Sequence, residues 1–259
     1  MEEKVFYNSI DNIKLCGLLS RVNHGKKIVL LCHGLKSSKK GDSFNSFVDS
    51  LQSKRINSFR FDFRGHGESG GNDYEMTPTK EVCDLESTLN YLEKLGFNEI
   101  IILGSSFGGS IISLLDYKNY SCVKGLICWY AALDYFAPME GGHFFSKEHK
   151  DIADKTGWFE SVSKKSGKVF KLGKKLFEEV YEIVPYRKLI TVELPILFVH
   201  GLIDKMVPYE LSVNVSKMCK NSRLELIENG DHSFTNDTKA LCKAIEVSID
   251  FIEKIFKLY

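Results

Sequence analysis

Residues 99–109 read Glu99-Ile100-Ile101-Ile102-Leu103-Gly104-Ser105-Ser106-Phe107-Gly108-Gly109. The first five form a short apolar run, suited to a strand buried on both faces of a parallel sheet. The next five fit G-x-S-x-G, and Gly109–Leu115 then takes on helical character. A strand that turns at once into a helix forces the central residue into a strained backbone, and small residues must flank it. Gly104 and Gly108 meet that need, and Gly109 permits further close packing. Such a turn lifts the Ser106 hydroxyl above the sheet at a helix N-terminus, where backbone N–H groups and the helix dipole favour negative charge. Alone the motif is weak, because a glycine-rich turn with a capping serine also fits it. Ser105 competes with Ser106 but lies one residue off the pattern.

Outward from this turn, two kinds of apolar segment alternate. Strand-like runs are Lys27–Cys32, Ser58–Phe63, Glu99–Leu103, Val123–Tyr130, Pro195–His200 and Leu224–Ile227. Between them, Ser43–Lys54, Thr79–Leu95, Tyr209–Cys219 and Lys239–Phe256 carry helix-spaced apolar faces, that of Thr79–Leu95 with charges opposite. The alternation predicts an α/β fold with helices covering a mostly parallel sheet. Lys4–Ser9 and Lys14–Val22, joined at Asp11-Asn12, read as an antiparallel hairpin leading into it. One stretch, 134–191, separates two strands by far more than a normal loop and is expected to be an inserted cap, a small hairpin plus a helix or two. The catalytic domain is then 1–133 and 192–259. The inserted stretch opens with Tyr135, Phe136, Phe144 and Phe145, and turns at Lys165-Ser166-Gly167-Lys168. Leu172–Val184 has helical spacing. Ser161–Phe177 carries six lysines and no acid, either a solvated face or a steering patch for anionic substrates.

The whole-chain arithmetic fits a globular protein and excludes a disordered, collagenous or fibrous one. In 259 residues, 43% are hydrophobic and 27% charged, and Lys+Arg of 35 against Asp+Glu of 34 leaves +1. That balance argues against a nucleic-acid binder. Seven cysteines without a C-x-x-C pair suggest reduced thiols in a cytoplasmic protein. No segment has the length of a membrane span, and Met1-Glu2-Glu3-Lys4 lacks the apolar core of a signal peptide. No histidine pair has metal-ligand spacing, and no cofactor is expected. A homodimer is possible through the cap or the C-terminal helix.

A serine hydroxyl needs a base, and the base needs an orienting group. Asp204 follows the strand Pro195–His200, and His232 follows Leu224–Ile227, so both fall at the strand ends where α/β sheets gather catalytic groups. The order Ser106, Asp204, His232 suits a serine hydrolase of this fold class. Asp231 and Asp134 are alternative acids. His200 is expected to bond locally, and His24, His143 and His149 to be loop or cap residues. His33-Gly34 ends an earlier strand, so the Leu35 and Phe107 backbone N–H groups are candidate oxyanion donors. Trp129, Tyr130 and Tyr135 are candidate pocket residues at the cap entrance, with packing of the cap onto the sheet as the other reading.

These residues resemble the α/β-hydrolase superfamily over nearly the whole chain. The resemblance rests on His33-Gly34, Asp62-Phe63-Arg64-Gly65-His66-Gly67-Glu68-Ser69, the Ser106 turn, the Asp204 loop and Gly230-Asp231-His232-Ser233-Phe234. Glu75-Met76-Thr77 and Asp231-His232-Ser233-Phe234 look most like the feruloyl (cinnamoyl) esterases, which are grouped with monoacylglycerol lipases. Ser105 departs from many relatives, which carry His before the nucleophile. The resemblance implies a carboxylesterase acting on a small-molecule ester, with an apolar or aromatic acyl group and a cap that shapes the pocket. A serine peptidase or amidase of the same fold, and a non-catalytic binding protein built on it, are the alternatives. Asp62–Ser69 is read as a structural loop whose Arg64 and His66 hold neighbouring loops together.

Overall fold

The structure, a computed structural model, describes residues 2–137, 145–163 and 166–258. The chain begins with a hairpin, β1 (Glu2–Asn8) and β2 (Lys14–Ser20), followed by β3 (Lys27–Cys32), α1 (Asp42–Ser53), β4 (Asn57–Asp62) and α2 (Pro78–Lys94). Then come β5 (Glu99–Ser105), α3 (Phe107–Leu114) and β6 (Val123–Trp129). The long interval after β6 holds α4 (Lys147–Thr156), the two-stranded antiparallel β7 (Trp158–Val162) and β8 (Val169–Gly173), α5 (Lys174–Glu182) and α6 (Pro185–Leu189). The sheet resumes with β9 (Ile196–Gly201), α7 (Tyr209–Met218), β10 (Ser222–Ile227) and α8 (Thr238–Leu258).

The main sheet has eight strands in the order β1-β2-β4-β3-β5-β6-β9-β10. β1 and β2 pair antiparallel, as do β2 and β4, and every later pairing is parallel. Strands β3, β5, β6 and β9 are buried on both sides, and the strand pleat divides their apolar side chains between two cores. Ile28, Leu30, Ile100, Ile102, Leu126 and Phe198 face α2, α3, α5 and α7. Val29, Leu31, Ile101, Leu103, Ile127 and Leu197 face α1 and α8. Because the strands run parallel, the loops after β3, β5, β6, β9 and β10 meet at one edge of the sheet.

Two expectations change. Leu172 and Gly173 belong to β8 rather than to a helix that starts at Leu172, since the hairpin pairing carries on to Gly173 opposite Trp158. The charges of α2 are not all turned to water: Glu81 and Asp84 are buried, and the Arg64 guanidinium from the loop after β4 bonds Asp84 at 2.6 Å and Asp11 at 2.7 Å. In the lysine-rich stretch, Lys171 lies over the Trp158 ring, Lys168 over Phe170, and Lys174 beside Asp154 and Glu178. Lys164, Lys165, His143 and Phe144 lie outside the described residues. No helix among the described residues is long and apolar enough to cross a membrane.

Candidate active site

Ser106 is the single residue between β5 and α3, and its backbone sits at φ 52°, ψ −120°. That left-handed conformation is costly for a side chain larger than glycine and persists only where the surroundings impose it. Here they do. A Cβ on Gly104 would come within 2.8 Å of the Gly108 carbonyl carbon, and one on Gly109 within 2.9 Å of Ala131 Cα. The Ser106 N–H donates to the Trp129 carbonyl at 2.9 Å, and the Ser106 carbonyl accepts from Ala132 N–H at 3.0 Å. The turn is thus fixed to β6 as well as to its own helix.

The structure brings three of the expected side chains into one line. The Ser106 Oγ lies 3.0 Å from His232 Nε2, and His232 Nδ1 lies 2.8 Å from Asp204 Oδ2. Ser106 and His232 are partly exposed, while the Asp204 carboxylate is fully buried. Asp204 Oδ1 accepts the Met206 and Val207 backbone N–H groups at 2.8 and 3.0 Å. Burial pushes the Asp204 carboxyl up, but the bonds from His200 and His232 prevail and hold it below the usual carboxylate range. The alternative acids are engaged elsewhere: Asp134 accepts Phe136 N–H, and Asp231 accepts Asn236 N–H.

The Gly34 turn lies against the serine. A Cβ on Gly34 would stand 3.0 Å from Ser106 Cβ and 3.2 Å from the Ser105 carbonyl oxygen. Leu35 follows, and its N–H has no acceptor among the described residues. Phe107 is the first residue of α3, so its N–H has no intrahelical acceptor. Two buried imidazoles shape this turn. His33 Nδ1–H donates to the Gly34 carbonyl at 2.8 Å, and its Nε2 accepts Phe63 N–H. His66 Nδ1–H donates to the Arg64 carbonyl at 2.9 Å, and its Nε2 accepts Lys36 N–H at 3.1 Å. Burial pushes both imidazoles down, which keeps them neutral and able to accept.

The expected aromatic residues divide. Trp129 is a correction: the pleat turns it to the α8 face, where it is fully buried and its indole N–H donates to Ser248 Oγ at 2.9 Å. Tyr130 stands beside the histidine, with ring centroids 4.7 Å apart. Tyr135 is buried against Phe107 and Phe145 on the opposite side of the sheet from Trp129. His149 stacks on Phe159 in the inserted segment. His200 bonds locally, as expected, and one of its partners is the acid itself: its Nε2 lies 3.2 Å from Asp204 Oδ2. Nothing in a histidine that closes a buried strand marks that contact, apart from its four-residue spacing to the acid. Among the described residues, no group of three or more His, Cys, Asp or Glu could hold a metal ion.

Residues 23–159 match the family described as Serine aminopeptidase, S33. The chain is 27% identical over 228 residues to the serine hydrolase BPHL of Mus musculus, covering 82% of this chain and 75% of that one. It is 26% identical over 200 residues to the mitochondrial palmitoyl-protein thioesterase ABHD10 of Bos taurus, covering 76% of this chain and 64% of that one. Among solved structures, ferulic acid-bound Est1E from Butyrivibrio proteoclasticus superposes with a TM-score of 0.78 at 24% identity, covering 98% of this chain and 99% of that one. Mouse alpha/beta hydrolase domain-containing protein 10 superposes at 0.77 with 22% identity, covering 97% and 99%. The fold is that of the α/β-hydrolases.

Proposed function

The chain belongs to the Serine aminopeptidase, S33 family and is a serine hydrolase of the α/β-hydrolase superfamily, and from that premise we propose that it hydrolyses carboxylic esters through an acyl-enzyme on Ser106. The observation that carries the reading is the line from Ser106 Oγ through His232 to Asp204, with separations of 3.0 and 2.8 Å, anchored on a strained turn. His232 Nε2 accepts the Ser106 proton as Oγ attacks the ester carbonyl. Asp204 holds the imidazole with Nδ1 protonated and stabilises the imidazolium that forms. The Leu35 and Phe107 N–H groups receive the oxyanion, each such donor being worth several kcal/mol in comparable sites. His232 then protonates the leaving alcohol, and a water repeats the sequence to release the acid.

The segment 134–191 is read as a cap over the acyl side of the site. Phe107, Tyr135, Phe145 and Phe177 form a chain of ring contacts there, which favours an apolar or aromatic acyl group. The family's description keeps amide cleavage as a second reading, and the thioesterase relative adds thioesters to the substrates worth assaying.

The test is turnover of p-nitrophenyl esters of graded acyl length and of aromatic acids, beside matched amides and thioesters. Ser106→Ala is expected to lose at least about 1,000-fold in kcat/KM, and Asp204→Asn a comparable amount. Wild-type turnover by a folded Ser106→Ala variant would end the ester mechanism. Faster turnover of the amides would put the peptidase reading first.

A further inference from the structure

We propose that His200 is a positioning residue for Asp204, and that its bond lowers the proton affinity of the Asp204–His232 pair from the side away from Ser106. The inference rests on the triad reading above. His200 lies in β9 and is fully buried. Its Nε2 faces two acceptors, Asp204 Oδ2 at 3.2 Å and the Val207 carbonyl at 3.0 Å. The ring proton therefore sits on Nε2, and Nδ1 accepts from the Ser212 hydroxyl of α7 at 2.7 Å. Ser212 is itself fully buried. The tautomer is set from behind, and His200 meets Asp204 as a donor.

With the Met206 and Val207 N–H groups on Oδ1 and both imidazoles on Oδ2, the carboxylate carries four donors in a site closed to water. Each donor favours the charged carboxylate. Removing one makes the Asp204–His232 pair bind a proton more tightly, whichever of the two groups carries it. The pair then takes up its proton at higher pH, and with that proton bound it cannot accept the one from Ser106. Two other titratable groups face the pair. Tyr130 comes from the end of β6, and burial pushes its phenol up to about 12. Asp231 precedes His232 in its loop and accepts Asn236 N–H. Neither hydrogen-bonds Asp204 among the described residues, so His200 is the imidazole that tunes the pair.

The experiment is the pH profile of kcat/KM for wild type, His200→Leu, His200→Gln and Ser212→Ala, on the best ester of the panel. His200→Leu is expected to move the acid limb up by about one pH unit, with kcat falling more than KM changes. His200→Gln keeps an amide donor and is expected to restore the limb to within a few tenths of a unit. Ser212→Ala keeps the ring but leaves Nδ1 without its donor, and shifts the limb the same way by less. A folded His200→Leu variant with the wild-type limb overturns the proposal, as does an equal shift in the leucine and glutamine variants. If His200→Leu does not fold, an unshifted limb in Ser212→Ala overturns it. Failure of the triad reading has a separate signature, retained turnover in Ser106→Ala.

Discussion

Gly34 has no side chain because Ser106 already occupies the space one would need. A methyl group there would stand 3.0 Å from Ser106 Cβ, close enough to displace the serine or the turn by a few tenths of an ångström. A misplacement of about 1 Å at a reacting centre can cost about 100-fold in rate, and a few tenths of an ångström cost less. Gly34→Ala is therefore expected to lower kcat/KM by up to about 10-fold with little change in melting temperature. Unchanged kinetics would mean that this turn does not set the geometry around the serine. At this scale, the meeting of Ser106, Asp204 and His232 was legible because each follows the end of a strand of the main sheet, and parallel strands bring such ends to one edge. Trp129 was not. A run such as Val123–Trp129, apolar from Leu126 on, does not mark which core each side chain enters, and the pleat sends Trp129 away from the site. His200 was also hidden, since its contact with Asp204 depends on how the loop after β9 folds back.

Helix α2 shows the limit of reading an element from periodicity. Its apolar residues face the sheet as their spacing predicts, but Glu81 and Asp84 are buried with them. The reason lies outside the helix, in Arg64, which reaches Asp84 with a bidentate bond and draws the acidic side inward. Glu81 gains no such partner, and its Oε1 is buried without a hydrogen bond among the described residues. Burial pushes this carboxyl far above the usual range, with Asp84 adding to the rise. A raised folded pKa gives stability that is full below the unfolded value of about 4.3 and is lost as pH climbs toward the folded value. Glu81→Gln removes the titration. Its melting temperature relative to wild type is expected to be higher at pH 8 than at pH 4. A difference that stays constant between those two pH values would contradict the assignment.

At the scale of the molecule, the inserted segment is tied to the sheet's edge at separate points. Lys36, beside the proposed oxyanion turn, donates through Nζ to Ser161 Oγ at 2.8 Å. Asp73 accepts the Lys171 N–H at 2.9 Å, and Glu179 accepts both the N–H and the hydroxyl of Thr79 at 2.8 Å. Each such bond contributes about 1 kcal/mol. The double variant Asp73→Ala, Glu179→Ala is expected to speed amide exchange in β7 and β8 while leaving β5 and β9 protected. Equal acceleration across the main sheet would mean that these contacts support the whole molecule. The sequence made the insertion legible as an interval too long for a loop. It did not reveal the ties, because each joins residues about 100 or more positions apart whose side chains have ordinary surface chemistry.

The central claim is that Ser106 is the nucleophile, and covalent labelling tests it most directly. Wild-type protein treated with a fluorophosphonate should gain the mass of one adduct, mapping to the peptide that carries Ser106, and Ser106→Ala should gain none. An unlabelled wild-type protein, or an adduct of equal yield in the alanine variant, would contradict the account.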